Sequence, residues 1–402
     1  MITKAHSNFS VNPFNIFAFM LTLVALESMH AWFLKGSSTL LYALTFGCFL
    51  LLCVMRQKRI TLKLMLMIAL FFYVLYTYKT VDVNSLTSIL GSIVRVFIVG
   101  YVTFLNDENK AVLFRTLMKI YAFLIFLGIP FWFLDNIFNV LPSFTYIAED
   151  IGVIFNNYFF FLSSVNSDGF YRYMSIFLEP GHLGMISSML LYASQFEFKK
   201  NEVKILAISV IISFSAAAYA LTFLGYIFFT VVQGNLKTLR NLFGRIFFIA
   251  IGSIVLVGAV NFYQEGIIFE KLLEVFVFSE NFMDSRLSSD FKRYYDSSSY
   301  EDLLYGIGNA EYMEILQKGG SAGWKVFVVK YGFIGMFLLS GFYLALTLHY
   351  NSKHVFFLLL IFIASFTQRA YAMWEIQIFI FVCGSAYLVL NKNRQINSLN
   401  NN

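Results

Sequence analysis

The sequence predicts an all-α polytopic membrane protein with about twelve transmembrane helices and two large outer loops. Composition is the first observation: 59% of the 402 residues are hydrophobic and 13% are charged, which is too little polar surface for a soluble domain. The second observation is the pattern of apolar residues. They form about twelve segments, and crossing a bilayer takes roughly 20 such residues. Only two long polar stretches interrupt them, at 135–179 and 263–325.

The first apolar segment, residues 14–34, is interpreted as an uncleaved transmembrane helix. It starts too late in the chain for a secretory signal peptide, and it lacks the small-residue cleavage site. The remaining segments divide the chain into helices one to five within 1–134, helices six to nine within 180–262, helices ten to twelve within 326–391, and a tail at 392–402.

Basic residues mark every second loop between the apolar segments. Because cytoplasmic loops hold an excess of lysine and arginine, the marked loops are predicted to be cytoplasmic. The marks are Arg56, Lys58 and Arg59; Lys110 and Arg115; Lys199, Lys200 and Lys204; Lys237, Arg240 and Arg245; His349 and Lys353; and Lys392 and Arg394. Both termini are therefore predicted to lie inside, and both long polar stretches outside.

Two apolar segments leave the helix count open. Residues 205–232 have basic loops on both sides, so a single span there would invert everything downstream. Two short spans that break near 216–218, or a re-entrant hairpin, preserve the sidedness, and we favour two spans. Residues 353–375 pose the same question, and Thr367, Gln368 and Arg369 predict an outward turn between helices eleven and twelve.

The second polar stretch is acidic although the chain as a whole is basic. Residues 263–325 contain eleven acidic and six basic residues, a net charge near −5, whereas the whole chain carries +6. The positive excess therefore falls on the predicted cytoplasmic side, where anionic lipid head groups attract it. Basic patches with interleaved aromatic residues are absent, so we expect contact with membrane lipids and no nucleic-acid partner.

The common catalytic and cofactor motifs are absent from the sequence. Cys48, Cys53 and Cys383 all fall in apolar segments, which predicts neither a disulfide nor a thiolate metal site. The chain has no G-x-S-x-G, no H-E-x-x-H, no phosphate-binding loop and no D-x-D. We therefore expect no cofactor and no metal, with any activity depending on side-chain electrostatics.

The end of the first polar stretch holds the densest group of functional residue types. Pro180 suits the first position of a helix, so helix six is predicted to begin there. A helix N-terminus beside Arg172 is suited to binding a phosphate. Glu179 is predicted either to cap this helix or to act as a catalytic group. His182 is predicted to be structural, to lie at the lip, or to transfer protons.

The second polar stretch offers a further cationic site. Arg286 and Arg293 are seven residues apart, so a helix would place them on one face. The alternative is that they pair with neighbouring acidic residues in a solvated loop. Gly306 and Gly308 predict a tight turn with positive φ.

In their order these features resemble the bacterial O-antigen polymerase family, which is related to the O-antigen ligases. The matching features are Arg172 with Ser175 to Gly181, the serine-containing hairpin at 213–225, Ser285-Arg286, Tyr305-Gly306-Ile307-Gly308, and Tyr331-Gly332. The resemblance covers most of the chain. The ligases carry His-Asn ahead of the late helix that follows the second loop. Here 320–324 reads Gly-Ser-Ala-Gly-Trp, which favours a polymerase over a ligase.

The resemblance implies a GT-C-like glycosyltransferase of the bacterial inner membrane. Such an enzyme joins polyprenyl-pyrophosphate-linked oligosaccharide repeat units on the periplasmic face and releases polyprenyl pyrophosphate. The donor and acceptor are thus the expected partners, together with membrane lipids and a chain-length regulator protein. By match, Arg172 and Arg286 hold the pyrophosphate, and Glu179 is the third catalytic candidate. His182, Arg293, Tyr305 and Arg369 are predicted to bind substrate.

Other classes remain open at this point. A flippase or other transporter also has about twelve spans, but transporters concentrate polar residues at mid-membrane in broken helices. A ligase and a non-catalytic assembly partner are further alternatives. Within the apolar segments, Glu27 and Arg95 are predicted either to line a groove for the polyprenyl chain or to pair.

Overall fold

The structure is a computed structural model, and it describes residues 13–55, 86–148, 153–164, 171–233, 287–308, 311, 312, 314, 323–369 and 371–400. Within these ranges the protein is mostly helical, as the sequence predicts. The α-helices are α1 (Pro13–Glu27), α2 (Ser38–Met55), α3 (Leu86–Phe104), α4 (Asp107–Phe138), α5 (Pro180–Ala193), α6 (Asn201–Ile212), α7 (Ala216–Val232), α8 (Ser289–Ser297), α9 (Tyr300–Tyr305), α10 (Trp324–Tyr350), α11 (Lys353–Gln368) and α12 (Glu375–Asn400).

Two of the described helices are long and apolar enough to cross a membrane. These are α4, with 32 residues, and α10, with 27, against the roughly 20 residues that a bilayer requires. Helices α1, α7 and α11 are apolar but shorter, with 15, 17 and 16 residues. The prediction of one helix over 14–34 is wrong after Glu27. Helix α1 ends at Glu27, and a separate 3-10 turn follows at Trp32–Leu34.

The two ambiguous apolar segments each form two helices. In 205–232 the chain breaks between α6 and α7, where Phe214 adopts a left-handed φ of 45°. Ser215 then caps α7, its side chain accepting from the Ala218 backbone nitrogen at 3.4 Å. In 353–375 the helices α11 and α12 are separated by residues 369–374. Both predicted breaks are confirmed as breaks, the first just ahead of 216–218 and the second just after Thr367 and Gln368, which still belong to α11.

Helices α5 and α12 lie at the centre of the described fold. Every residue of α5 after Pro180 is buried, and so is every residue of α12 from Ile376 to Leu388. A helix that is apolar all round needs neighbours on every side, and α5 packs against α6, α7, α11 and α12. The N-terminus of α5 and the segment leading into α12 are therefore held in the interior.

A small antiparallel sheet occupies the first polar stretch, an element that the sequence analysis did not foresee. Its strands are β1 (Phe144–Ala148), β2 (Val153–Asn157) and β3 (Leu162–Ser164), in that order. Asp135 ties the stretch to the end of α4, since its Oδ1 accepts from the Leu141 nitrogen at 3.1 Å and its Oδ2 accepts from the Tyr171 hydroxyl at 2.5 Å. The segment that leads to Arg172 is therefore anchored to the end of α4.

The end of the second polar stretch docks into a break in α10. Gly332 has φ 72° and ψ 171°, which interrupts the helix and leaves carbonyls before it without helical donors. Gly308 N donates to Lys330 O at 2.9 Å. Gly306 and Gly308 have φ values of 74° and 90°, as the predicted turn requires. A Cβ on Gly306 would collide with the Gly332 backbone nitrogen, so only glycine allows this approach.

Candidate functional site

Glu179 stands at the N-terminus of α5 with its side chain turned away from the helix. Pro180 takes the first helical position, as predicted, and Glu179 is the N-cap with an extended backbone. Its side chain makes no capping hydrogen bond. The carboxylate instead forms a close ion pair with the guanidinium of Arg369. Of the two predicted roles, helix capping by the side chain is therefore wrong.

Arg369 brings α11 into the site. It follows Gln368 at the end of that helix and has an extended backbone, with φ −148° and ψ 122°. Its Nη1 lies 3.2 Å from the Tyr371 hydroxyl and 3.2 Å from His182 Nε2, while Nη2 faces Glu179. The arginine side chain is 16% exposed and the glutamate side chain 40%. The carboxylate therefore reaches solvent, and the guanidinium lies behind it.

The charge of Arg369 is secured by its partners. Burial opposes ionisation, yet Tyr371 and Glu179 together raise the pKa of the guanidinium above its ordinary value. A buried charge without such partners would be costly. Arg369 was predicted to bind substrate, and the structure shows it holding Glu179, which is a positioning contact.

His182 is buried behind the ion pair, and only 4% of it is exposed. Its Nε2 faces the Arg369 donor and lies 3.2 Å from the Tyr371 hydroxyl and 3.8 Å from Glu179 Oε2. Because an arginine can only donate, Nε2 accepts there and the ring proton lies on Nδ1. Trp374 packs on the His182 ring edgewise at 5.2 Å. The lip position is therefore wrong, and the neutral ring is positioned as an acceptor.

Tyr371 and Trp374 complete the group, and sequence reasoning missed both. Their rings stack with centroids 3.8 Å apart and an interplanar angle of 12°. They occupy the segment between α11 and α12, two and five positions after Arg369. The signal that could have pointed to both residues was the outward turn predicted at 367–369, because the segment that follows it is rich in aromatic residues. We refer below to Glu179, His182, Arg369 and Tyr371 as the α5 site.

Two glycines let neighbouring groups reach the first turns of α5. A Cβ on Gly181 would lie 2.8 Å from Arg369 Nη2, so the guanidinium rests directly against this backbone. One turn further, a Cβ on Gly184 would lie 2.5 Å from the Ala218 Cβ and 2.9 Å from Ser213 Oγ. The turn between α6 and α7 therefore packs beside the α5 site.

Arg172 packs against this same turn between α6 and α7. Its Nε donates to the carbonyl oxygen of Ser213 at 3.0 Å, and the next residue, Tyr173, donates its backbone nitrogen to Ile212 O at 3.2 Å. Arg172 itself is exposed. Arg172, which was predicted to lie beside the start of α5, thus contacts the turn that packs against Gly184, one helical turn past the N-terminus of α5.

The candidates from the second polar stretch are spread more widely. Arg293 lies exposed on α8, and Tyr305 is the last residue of α9, 45% exposed. Arg286 is outside the described residues. Ser288 caps α8 with an extended backbone, ψ 152°, so the helix that carries Arg293 begins after it. The predicted shared face of Arg286 and Arg293 stays a prediction.

A second charged cluster lies between α1, α2, α3 and α12. Arg95 Nε is 3.1 Å from Glu375 Oε1, which also accepts from the Tyr42 hydroxyl at 2.5 Å. The Arg95 guanidinium lies over the Tyr42 ring at 4.8 Å, and Glu27 interacts electrostatically with both Arg95 and Glu375. Of the two predictions for Glu27 and Arg95, pairing is closer, with Glu375 as a shared partner.

Within the described ranges, no three residues of the His, Cys, Asp and Glu types are grouped to hold a metal ion. Lys330 is a further residue that sequence reasoning missed; its ammonium lies 4.2 Å from the centroid of the Tyr312 ring.

No protein-family model, curated protein or solved structure matches this chain at a significant level.

Proposed function

We propose that this protein is a membrane glycosyltransferase of the O-antigen polymerase type, which joins polyprenyl-pyrophosphate-linked oligosaccharide repeat units. The observation that carries the proposal is the α5 site, in which Arg369 holds a solvent-reaching carboxylate beside a helix N-terminus. A base for the acceptor hydroxyl and positive charge for a phosphate leaving group are what such a transfer requires. The resemblance in the order of the motifs is the second support.

The reaction forms one bond and breaks one. A hydroxyl oxygen of the acceptor repeat unit attacks the anomeric carbon of the donor sugar, and the bond from that carbon to the pyrophosphate oxygen breaks. The bonding electron pair leaves with polyprenyl pyrophosphate, and the hydroxyl proton passes to Glu179. This carboxylate suits the role because 40% of its side chain is exposed, so an acceptor can reach it.

The remaining candidates divide into binding and positioning roles. Arg172 and Arg286 take the pyrophosphate-binding role that the resemblance implies, where each donor would contribute roughly 3–4 kcal/mol to the transition state. Arg369 and His182 orient Glu179 from behind. Arg293 and Tyr305, which are exposed, contact the sugars of the repeat unit.

The proposal includes the arrangement in the membrane. About twelve spans in a GT-C-like architecture cross the bacterial inner membrane, both termini are cytoplasmic, and both polar stretches face the periplasm. The lengths of α4 and α10 and the spacing of basic loops support this arrangement. Membrane lipids surround the chain, and a chain-length regulator is a further protein partner.

The deciding experiment is a gel of surface polysaccharide from a deletion strain, with and without the chain restored. A single-repeat band that becomes a ladder on restoration is the expected result. Loss of all lipid-A-attached repeats, with long lipid-linked polymer accumulating, would instead identify a ligase. Loss of outward-facing lipid-linked repeats would identify a flippase.

The same strain tests the assignment of Glu179. Glu179→Gln keeps the shape of the side chain and removes its basicity, so the ladder should be lost while the protein still reaches the membrane. Glu197→Gln is the matched control, because Glu197 forms a solvent-exposed ion pair with Lys200. A full ladder from Glu179→Gln would contradict the assignment of the base.

A further inference from the structure

Lys330 of α10 is a partly buried cation that faces an aromatic ring. Its Nζ lies 4.2 Å from the centroid of the Tyr312 ring, and Tyr312 itself is 7% exposed. Within the described part of the chain, no carboxylate lies within ion-pair distance of this nitrogen. Removing an ammonium group from water costs more than one cation–π contact returns. The position therefore favours an anionic ligand.

The backbone fixes both the lysine and the ring. Lys330 O accepts from Gly308 N at 2.9 Å because the helix is broken two residues later at Gly332. Tyr312 N in turn donates to Gly308 O at 3.1 Å. One docked segment of the second polar stretch thus sets the positions of Lys330 and Tyr312 together.

The start of α10 packs against the end of α11. Phe327, one turn before Lys330, packs against Phe366 with ring centroids 5.2 Å apart, and Phe366 is three residues before Arg369. The start of α10 therefore meets α11 at the end from which Arg369 extends.

The Tyr312 ring links the two groups electrostatically. Burial, and after it the neighbouring Tyr371 phenol, raises the pKa of Tyr312 to about 12. Tyr371 is the residue whose hydroxyl contacts Arg369 and His182. Tyr312, the ring that Lys330 faces, therefore lies near the α5 site.

The charges of the α5 site leave a role for an additional cation. Glu179 largely neutralises Arg369, so the pair offers little net positive charge to a ligand. Lys330 supplies charge that no described carboxylate offsets. A pyrophosphate, with two adjacent phosphate groups, is the ligand class in the proposed reaction that needs such a cation.

We propose that Lys330, held against Tyr312, binds the pyrophosphate of the lipid-linked substrate. The inference rests on the proposed function and assigns a pyrophosphate-binding residue that the motifs do not include. Its role is to hold the leaving group while the α5 site acts on the acceptor hydroxyl.

Binding of labelled polyprenyl pyrophosphate to the full chain in phosphatidylcholine nanodiscs tests the inference. Lys330→Met should weaken binding about tenfold to a hundredfold, as expected for losing a charged hydrogen-bond donor. Lys325→Met is the matched control, because Lys325 lies on the same helix over the Tyr295 ring, 5.2 Å from its centroid. Binding by Lys330→Met within twofold of the unmodified chain would overturn the inference.

A measurement on the unmodified chain covers the case in which Lys330→Met does not fold. Polyprenyl pyrophosphate should protect Lys330, but not Lys325, from acetylation by an amine-reactive reagent, as read by mass spectrometry. Equal labelling of Lys330 with and without this lipid would overturn the inference.

Competition separates the possible sources of phosphate. Unlabelled polyprenyl pyrophosphate should displace the label best, and inorganic pyrophosphate more weakly because it lacks the lipid chain. Displacement by phosphatidylglycerol at equal concentration would mark a general head-group site and overturn the inference. Loss of binding in Lys330→Met, together with no ladder from the restored strain, would support the pyrophosphate site and overturn the polymerase proposal.

Discussion

At the scale of single residues, the α5 site depends on the shape of one guanidinium. Arg369 reaches Glu179 through Nη2 and both Tyr371 and His182 through Nη1. A planar fork of five N–H donors can serve three partners at once, whereas an ammonium group is a point charge on a flexible stem. The arginine therefore fixes the direction of the carboxylate, and charge alone would not.

The geometry of the guanidinium predicts the effect of replacing Arg369 by lysine. Arg369→Lys keeps the charge but cannot hold all three partners, so the rate of polymer formation should fall about 10²-fold. Thermal stability should change little, since an ion pair with a partly exposed glutamate contributes about 0–1 kcal/mol. The rate of polymerisation by purified protein and its unfolding temperature are the two measurements.

Arg115→Lys is the control for this experiment. Arg115 Nε donates only locally, to Ala111 O on its own helix, so lysine should be tolerated there. Polymerisation by Arg369→Lys at the rate of the unmodified chain would show that the fork has no part in the activity.

At the scale of elements, local signals predicted helix boundaries well. Pro180 marked the start of α5, and the basic loops around 205–232 indicated a break that the structure places at 213–215. The proline acts within one turn of the chain and the basic loops act through the sidedness that they impose, so the sequence contains both signals directly. The sheet was missed although Phe144 to Ile147 and Val153 to Phe155 are rich in residues that favour strands.

The contacts of the candidate site could not be predicted in the same way. Glu179 and Arg369 are 190 positions apart in the chain, and no spacing rule relates them. Their pairing follows from the packing of α5 against α11 and from the exit of the chain into the 369–374 segment. The residue types indicated an anion site, whereas the pairing of Arg369 with Glu179 depends on the fold.

Two glycines of α5 give an element-scale prediction. Gly181→Ala places its methyl group against Arg369 Nη2, the end of a flexible side chain, so the guanidinium should shift and the helix should remain intact. Activity should fall while stability holds or rises slightly, because alanine favours a helix by about 1 kcal/mol over glycine.

Gly184→Ala is the matched comparison on the same helix. Its methyl group would meet the Ala218 Cβ at 2.5 Å, and that atom cannot swing aside without moving α7. Overpacking of this kind costs about 1–3 kcal/mol, so the unfolding temperature should drop. Equal loss of stability in Gly181→Ala and Gly184→Ala would contradict the view that Arg369 rests against Gly181.

At the scale of the whole molecule, the last helix closes onto the first three. Glu375, at the start of α12, accepts from Tyr42 of α2 and pairs with Arg95 of α3. The next residue, Ile376, donates its backbone nitrogen to Ser28 Oγ at 3.3 Å, just past the end of α1. Because residues 371–374 lead directly into α12, the same helix start also carries Tyr371 and Trp374 into the α5 site.

This closure predicts the cost of breaking the buried pair. Glu375→Gln removes the carboxylate that pairs with Arg95, and removing one member of a buried pair costs about 3–5 kcal/mol. The lower end is expected here, because the Arg95 side chain is 34% exposed whereas that of Glu375 is 4% exposed. Replacing both residues by methionine should recover much of the loss, since neither buried charge then remains.

The free energy of unfolding in nanodiscs measures each step. The exposed Lys200–Glu197 pair is the control, and replacing it in the same way should cost less than 1 kcal/mol. If the double replacement at 95 and 375 were as unstable as Glu375→Gln alone, the pair would not be what holds α12 to the first three helices.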